Sequence, residues 1–163
     1  MLNFFDPMYQ ETPINDSLFG LCDNEDGNVA FTDTNTMNMV KWIATVENQN
    51  KIELTFTAID NGIIKDSDYP CHGRCDGMLA SNEHLYFIEL KNLKEDWIQK
   101  GILQLESTIK IFDTTHPGKI AITTTGGAVI GIIIGVMFFG VAGAIIGDIL
   151  GAGAGGAGVA ASG

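Results

Sequence analysis

The chain has 163 residues, with 9 Lys+Arg against 20 Asp+Glu and a formal charge of −11. That length holds one modest domain, or a small domain with an appendage, and so acidic a chain is a poor general binder of a nucleic-acid backbone. Three cysteines and no regular G-x-y repeat exclude the disulfide-rich and collagen-like classes. The 20 glycines are unevenly spread, six before Pro117 and fourteen after it, so the composition averages two unlike parts.

Residues 1–35 carry seven acidic side chains and no Lys or Arg. Their opening, MLNFFDPMYQETPIND, has neither the basic start nor the apolar run of a secretory signal. They read as a loosely structured acidic arm, pinned to the neighbouring region by Phe4, Phe5, Tyr9 and Phe19. Residues 36–125 read as a globular α/β domain. MNMVKWIATVE (37–47) suggests a short helix, with Thr34 or Thr36 as its cap. KIELTFTAI (51–59) is β-branched and aromatic and reads as a strand, closed by the turn signal Asp60-Asn61-Gly62. RCDGMLA (74–80) and HLYFIELK (84–91) read as two strands joined through Ser81-Asn82-Glu83. Leu93, Trp97, Ile98, Ile102, Leu105, Ile109 and Phe112 recur at three- and four-residue spacing, which predicts a helix over 94–112. His116-Pro117-Gly118 breaks it, with His116 expected in an exposed loop, and KIAITTT (119–125) suits a last strand. The predicted order is α-β-β-β-α-β, a small mixed sheet flanked by helices, with room for a right-handed parallel crossover before the final strand.

No charged side chain occurs over the 27 positions 121–147. A bilayer needs about 20 apolar residues, so the length suffices for one span or a tight helical hairpin over 126–148. Glycines at 127, 131 and 135, then at 143, 147, 151 and 155, keep one register of four. Such a small-residue stripe pairs helices in lipid and points to a homo-oligomer through a glycine face. A buried apolar hairpin in a soluble assembly is the other reading. Asp148 closes the run, and a Gly/Ala-rich tail occupies 149–163. The pattern places the protein at a membrane with its N-terminal domain on the cytoplasmic side. Lys119 is too thin a positive-inside signal to fix the orientation by itself.

The sharpest chemical pattern is Asp76 early in one predicted strand, with Glu89-Leu90-Lys91 ending the next. Glu89 and Lys91, two apart on a strand, share a face. Asp76 need not lie directly opposite Glu89, but a bend near Gly77 brings the carboxylates together. Two carboxylates with a backbone carbonyl, that of Leu90, make a hard-oxygen site suited to Mg²⁺, and a neighbouring lysine steadies a water or developing charge. The alternative is a solvated Glu89–Lys91 pair with Asp76 in a turn. Cys71, His72 and Cys75, with Cys22 or His84, offer scattered zinc ligands. Two clear ligand pairs are missing, so reduced single cysteines are the better reading than structural zinc.

On Cys75-Asp76, Phe87-Ile88-Glu89-Leu90-Lys91 and Gln104-Leu105, the chain resembles the PD-(D/E)XK nuclease superfamily, with its restriction-endonuclease-like or Holliday-junction-resolvase-like core, over roughly 47–125. The resemblance implies metal ligation by Asp76 and Glu89, a catalytic role for Lys91, support from the helix residue Gln104 and assistance from Glu47. It implies Mg²⁺-dependent phosphodiester hydrolysis, and the apolar tail adds the expectation of a membrane-associated protein. The chain departs from the family in having Cys75 where proline is usual and in running from Thr125 into the apolar tail without a final soluble helix. Its acidic charge supports a nucleic-acid partner only weakly, although residues 89–119 balance five lysines with five acids. The competing expectations are an inactive interaction or immunity-like module anchored by the tail, and a small membrane-inserting effector.

Overall fold

Short strands, most of them buried at nearly every position, build the core of the chain, and one long helix packs on it. A computed structural model describes residues 2–24, 27–65, 67, 69–70, 72–82, 85–90, 97–119 and 144–146. Seven strands and one α-helix lie among them. The strands are β1 (Leu18–Cys22), β2 (Phe31–Asp33), β3 (Ala44–Glu47), β4 (Thr55–Ala58), β5 (Gly77–Ala80), β6 (Leu85–Ile88) and β7 (Ala144–Ile146), and the helix is α1 (Trp97–Thr115). Short 3₁₀ turns occupy Pro7–Tyr9 and Thr36–Lys41.

The strands form two sheets, ordered β2-β1-β3-β7 and β4-β5-β6. All described pairings are antiparallel except β3 with β7, which is parallel. The central sheet, β4-β5-β6, is covered on both faces. One face sends Phe56, Leu79, Tyr86 and Ile88 against Phe19, Leu21 and Val46 of the first sheet. The other sends Met78, Leu85 and Phe87 against Leu105 and Phe112 of α1 and against Phe4. The layers are therefore helix and N-terminal arm, then central sheet, then second sheet. Burial on both faces explains why β6 (Leu-Tyr-Phe-Ile) is a continuous apolar run rather than an alternating one.

This architecture replaces the single mixed sheet of order α-β-β-β-α-β with a C-terminal apolar helix or hairpin. Residues 37–47 are not one helix: a 3₁₀ turn ends at Lys41 and a strand starts at Ala44. Met37 and Val40 are almost fully exposed, and Ala44-Thr45-Val46-Glu47 alternates buried with half-buried positions as a strand does. The 3₁₀ turn before it is capped by Asn35, whose Oδ1 accepts from the Met37 N–H (3.1 Å), rather than by Thr34 or Thr36. The acidic arm holds β1 and β2, because Phe19 and Leu21 alternate with Gly20, where a Cβ would overlap the Trp42 ring. The expected strand at 119–125 and most of the apolar run lie outside the described residues. The described part of that run, Ala144–Ile146, is a strand on the edge of β3, and among the described residues no helix is long and apolar enough to cross a membrane. No described helix therefore supports the membrane localisation, the membrane partner or the glycine-face oligomer.

The β5–β6 hairpin and α1 sit close to their predicted places. On α1, Gly101, Leu105, Thr108 and Phe112 form the buried stripe at i, i+4, i+7 and i+11. His116 is not a bare loop residue. It stacks on Phe112 (centroids 4.9 Å, 11°) and meets Phe5 and Phe4 edge-on at 5.4 and 5.7 Å. Its Nε2 reaches Asn3 Oδ1 (3.4 Å), so the ring clasps the N-terminal arm to the end of α1.

Burial and the nearby Lys119 ammonium hold the His116 pKa below its ordinary 6.5. The folded state therefore binds fewer protons than the unfolded chain, and the clasp's contribution is full above pH 6.5 and is lost as pH falls below it. Amide exchange at Phe4 and Phe5 is expected to accelerate on acidification through this window, and His116→Phe is expected to abolish that acceleration.

Candidate functional site

The chain enters β5 along a row of hydrogen bonds from α1. Gln104 Nε2 donates to the Arg74 carbonyl (2.9 Å), and the Cys75 N–H donates to Thr108 Oγ1 (2.9 Å). The Thr108 hydroxyl in turn donates to the Gln104 carbonyl (2.9 Å). Arg74 Nε pairs with Asp60 Oδ1 at 2.7 Å, fixing the same stretch to the turn after β4. Gly73 lies against Gln104, where a Cβ would sit 3.0 Å from Cγ. The backbone before β5 is thus held from two sides.

The hairpin register then decides the geometry of the acids. Its last paired residues are Gly77 and Ile88. One step further sets Asp76 opposite Glu89, with no bulge or bend needed, and both residues fall on the face that carries Met78 and Phe87 toward α1. The Asp76 carbonyl accepts from Ile59 N–H (3.0 Å), and its carboxylate Oδ2 accepts from Leu90 N–H. Glu89 is fully buried and Asp76 is 7% exposed. The pair is therefore an interior feature and not a solvated cross-strand pair.

Cys75 lies beside both acids. Its thiol is pushed well above the ordinary cysteine range, first by burial and then by the negative charges of Glu89 and Asp76, against the opposing Thr108 hydrogen bond. It is a buried free thiol, held neutral and unreactive. Cys22 is also free and buried, but in β1 of the other sheet. Cys71 and His84 lie outside the described residues.

Of the site residues read from the sequence, the structure brings together Asp76, Glu89 and the Leu90 backbone. Gln104 is near, but its described bond holds the Arg74 carbonyl rather than a carboxylate. Glu47 ends β3 in the other sheet. Lys91 lies outside the described residues. Sequence reasoning misses Thr108. Its signal is a polar residue four after Gln104 on the otherwise apolar stripe of Leu105, Ile109 and Phe112.

No protein family, no curated protein and no solved structure matches this chain. The resemblance to the PD-(D/E)XK superfamily therefore does not stand. It rested on an E-x-K triplet and a single aspartate, a pattern short enough to arise by chance, and the two-sheet arrangement departs from the implied core. Among the described residues no group of three or more His, Cys, Asp or Glu side chains is placed to hold a metal ion. Neither phosphodiester hydrolysis nor a membrane-anchored role, whether as an interaction module or as an inserting effector, retains support, and the nucleic-acid partner falls with the hydrolysis.

Thr108 is the acceptor that keeps the Cys75 N–H satisfied in the interior. Thr108→Val preserves volume and removes that acceptor, so it is expected to cost about 1–3 kcal/mol in urea denaturation. Ser107→Ala, one residue away on a half-buried position, is expected to change stability by less than about 0.5 kcal/mol.

Proposed function

We propose that this protein is a divalent-cation-binding domain, with Asp76 and Glu89 as its ligands and the Leu90 carbonyl as a third oxygen. The observation that carries the reading is the β5–β6 register, which puts two carboxylates on adjacent strands and on one face, in the interior beside α1. Two carboxylates on facing strands with a backbone carbonyl beside them offer the charged oxygen donors that a divalent ion takes. The donor set fits a hard ion. It is all oxygen, and the nearby thiol of Cys75 is protonated and so a poor ligand. Mg²⁺ is the ion such a set favours in cells, and Mn²⁺ is its natural laboratory substitute.

A bound ion supplies positive charge that offsets the two carboxylates and ties the end of β6 to the start of β5. The protein's part is positional. Thr108 and Gln104 hold the two ends of the Arg74–Cys75 peptide group, the Leu90 N–H orients one oxygen of Asp76, and burial keeps Glu89 from turning to solvent. Lys91, two residues beyond Glu89 in sequence, is the competing source of positive charge.

Thermal unfolding in the presence of Mg²⁺ or Mn²⁺ tests the reading. A concentration ten times Kd is expected to raise the Tm by roughly 4 °C. Glu89→Gln is expected to abolish the rise while the variant stays folded, since it removes a buried charge. If the wild-type Tm is insensitive to both ions and Lys91→Gln destabilises the protein, the lysine neutralises the pair and the reading fails.

A further inference from the structure

β2 stands at the end of the sheet β2-β1-β3-β7, and among the described residues its strand partner is β1 alone. Gly20 pairs with Asp33, Leu21 with Thr32 and Cys22 with Phe31. In an antiparallel ladder every second residue points its N–H and C=O away from the partner strand. In β2 that residue is Thr32. Its N–H donates outward, to both carboxylate oxygens of Glu11 (3.1 and 3.2 Å). The Thr32 hydroxyl donates to Glu11 Oε2 as well.

Glu11 comes from the rim of the other sheet. Its own N–H donates to the Phe56 carbonyl (2.9 Å), and Ile14 and Leu54 exchange two backbone bonds (2.8 and 2.9 Å), so residues 10–14 lie along the outer edge of β4. The β4 edge is thus covered by backbone, and the β3 edge by β7. The β2 edge is covered by a side chain that crosses from the opposite layer. A cleft of about 570 Å³ runs along this rim, between Glu11-Thr12 and Thr32–Thr34, so the space beside β2 is open. Burial pushes the Glu11 carboxyl above its ordinary range, against the opposing Thr32 hydrogen bonds. A charge held where burial disfavours it, and committed to one edge residue, is explained by what the bare edge would do.

Bare, that edge is self-complementary. Two antiparallel copies of β2 centred on Thr32 exchange both Thr32 N–H···O=C bonds across a two-fold axis. Asp33 of each copy then faces Phe31 of the other, so like charges are not set directly opposite. We propose that Glu11 is an intramolecular cap on the β2 edge, its carboxylate taking the place of a neighbouring strand's carbonyl and holding the chain back from edge-to-edge pairing with a second copy of itself. The interaction surface is the Phe31–Asp33 edge, its partner is the same edge of another copy, and displacement of residues 10–14 exposes it.

Sedimentation equilibrium of the full chain, with amide exchange at Thr32, tests this. Glu11→Leu keeps the bulk but accepts no hydrogen bond, and it is expected to give a species of about twice the wild-type mass. The Thr32 amide is expected to exchange slowly in that species and fast once dilution dissociates it. Glu11→Gln retains an acceptor oxygen and is expected to match the wild type. Trp42 fluorescence reports folding, because the indole Nε1 donates to Asp33 Oδ2 on β2 (3.3 Å). Unchanged mass in folded Glu11→Leu, or a doubled mass with a fast Thr32 amide, overturns the proposal. A doubled mass in Glu11→Gln as well traces association to lost charge repulsion and overturns it too. Glu11→Ala repeats the test with a smaller side chain, and loss of the fold in both Glu11→Ala and Glu11→Leu makes Glu11 a residue of the fold itself and not a cap.

Discussion

The central sheet, β4-β5-β6, is buried on both faces, and the rest of the structure depends on that constraint. A sheet in this position has no solvent side on which to place a polar residue cheaply. Every polar group at its ends must be satisfied from a neighbouring layer. The hydrogen bonds from the Cys75 N–H to Thr108, from Gln104 to the Arg74 carbonyl and from the Leu90 N–H to Asp76 meet that requirement at the end where β5 starts and β6 finishes. Glu89 is the residue that makes this end chemically distinct. A fully buried acid facing a second acid across a strand pair is costly by the ordinary rules of folding, and it is the point where a functional explanation has the most to account for.

The N-terminal arm and the second sheet serve the same constraint from opposite sides. Phe4 fills the helix-side core against Phe87 and Phe112, with edge-on ring contacts at 6.3 and 5.1 Å. On the far side, Phe19, Leu21 and Val46 close the other face. A segment that reads as an appendage is thus part of both cores. Asn48 shows how closely the joints are made. It is buried, accepts from the Ile52 N–H (2.9 Å) and donates to the Ile52 and Asp16 carbonyls (2.8 and 3.2 Å), which locks the turn between β3 and β4.

Local signals in the sequence are reliable where one period dominates. The β5–β6 hairpin is legible from two apolar runs around Ser81-Asn82-Glu83, and α1 from the spacing of Ile102, Leu105, Ile109 and Phe112. The reading fails where short apolar runs fit two periods at once. Met37, Val40 and Ile43 mimic a helical stripe, yet the burial that decides the matter belongs to Ala44 and Val46 in a strand. Leu18–Cys22 is hidden by the acids around it. Ala144–Ile146 is absorbed into a long apolar run whose length suggests a bilayer, and its pairing with β3, about a hundred residues earlier, leaves no trace in local sequence. At the candidate site, Asp76 and Glu89 are recognisable as a constellation, but their direct opposition and the burial of Glu89 depend on register and layering, which only the assembled fold supplies.

The most direct measurement of the central claim is paramagnetic broadening of backbone amide signals by Mn²⁺ at substoichiometric concentration. The account predicts broadening centred on Asp76, Leu90 and Thr108, with the β1–β2 amides unaffected. Broadening confined to exposed acids such as Asp16 and Asp113, with Leu90 and Thr108 sharp, would contradict it.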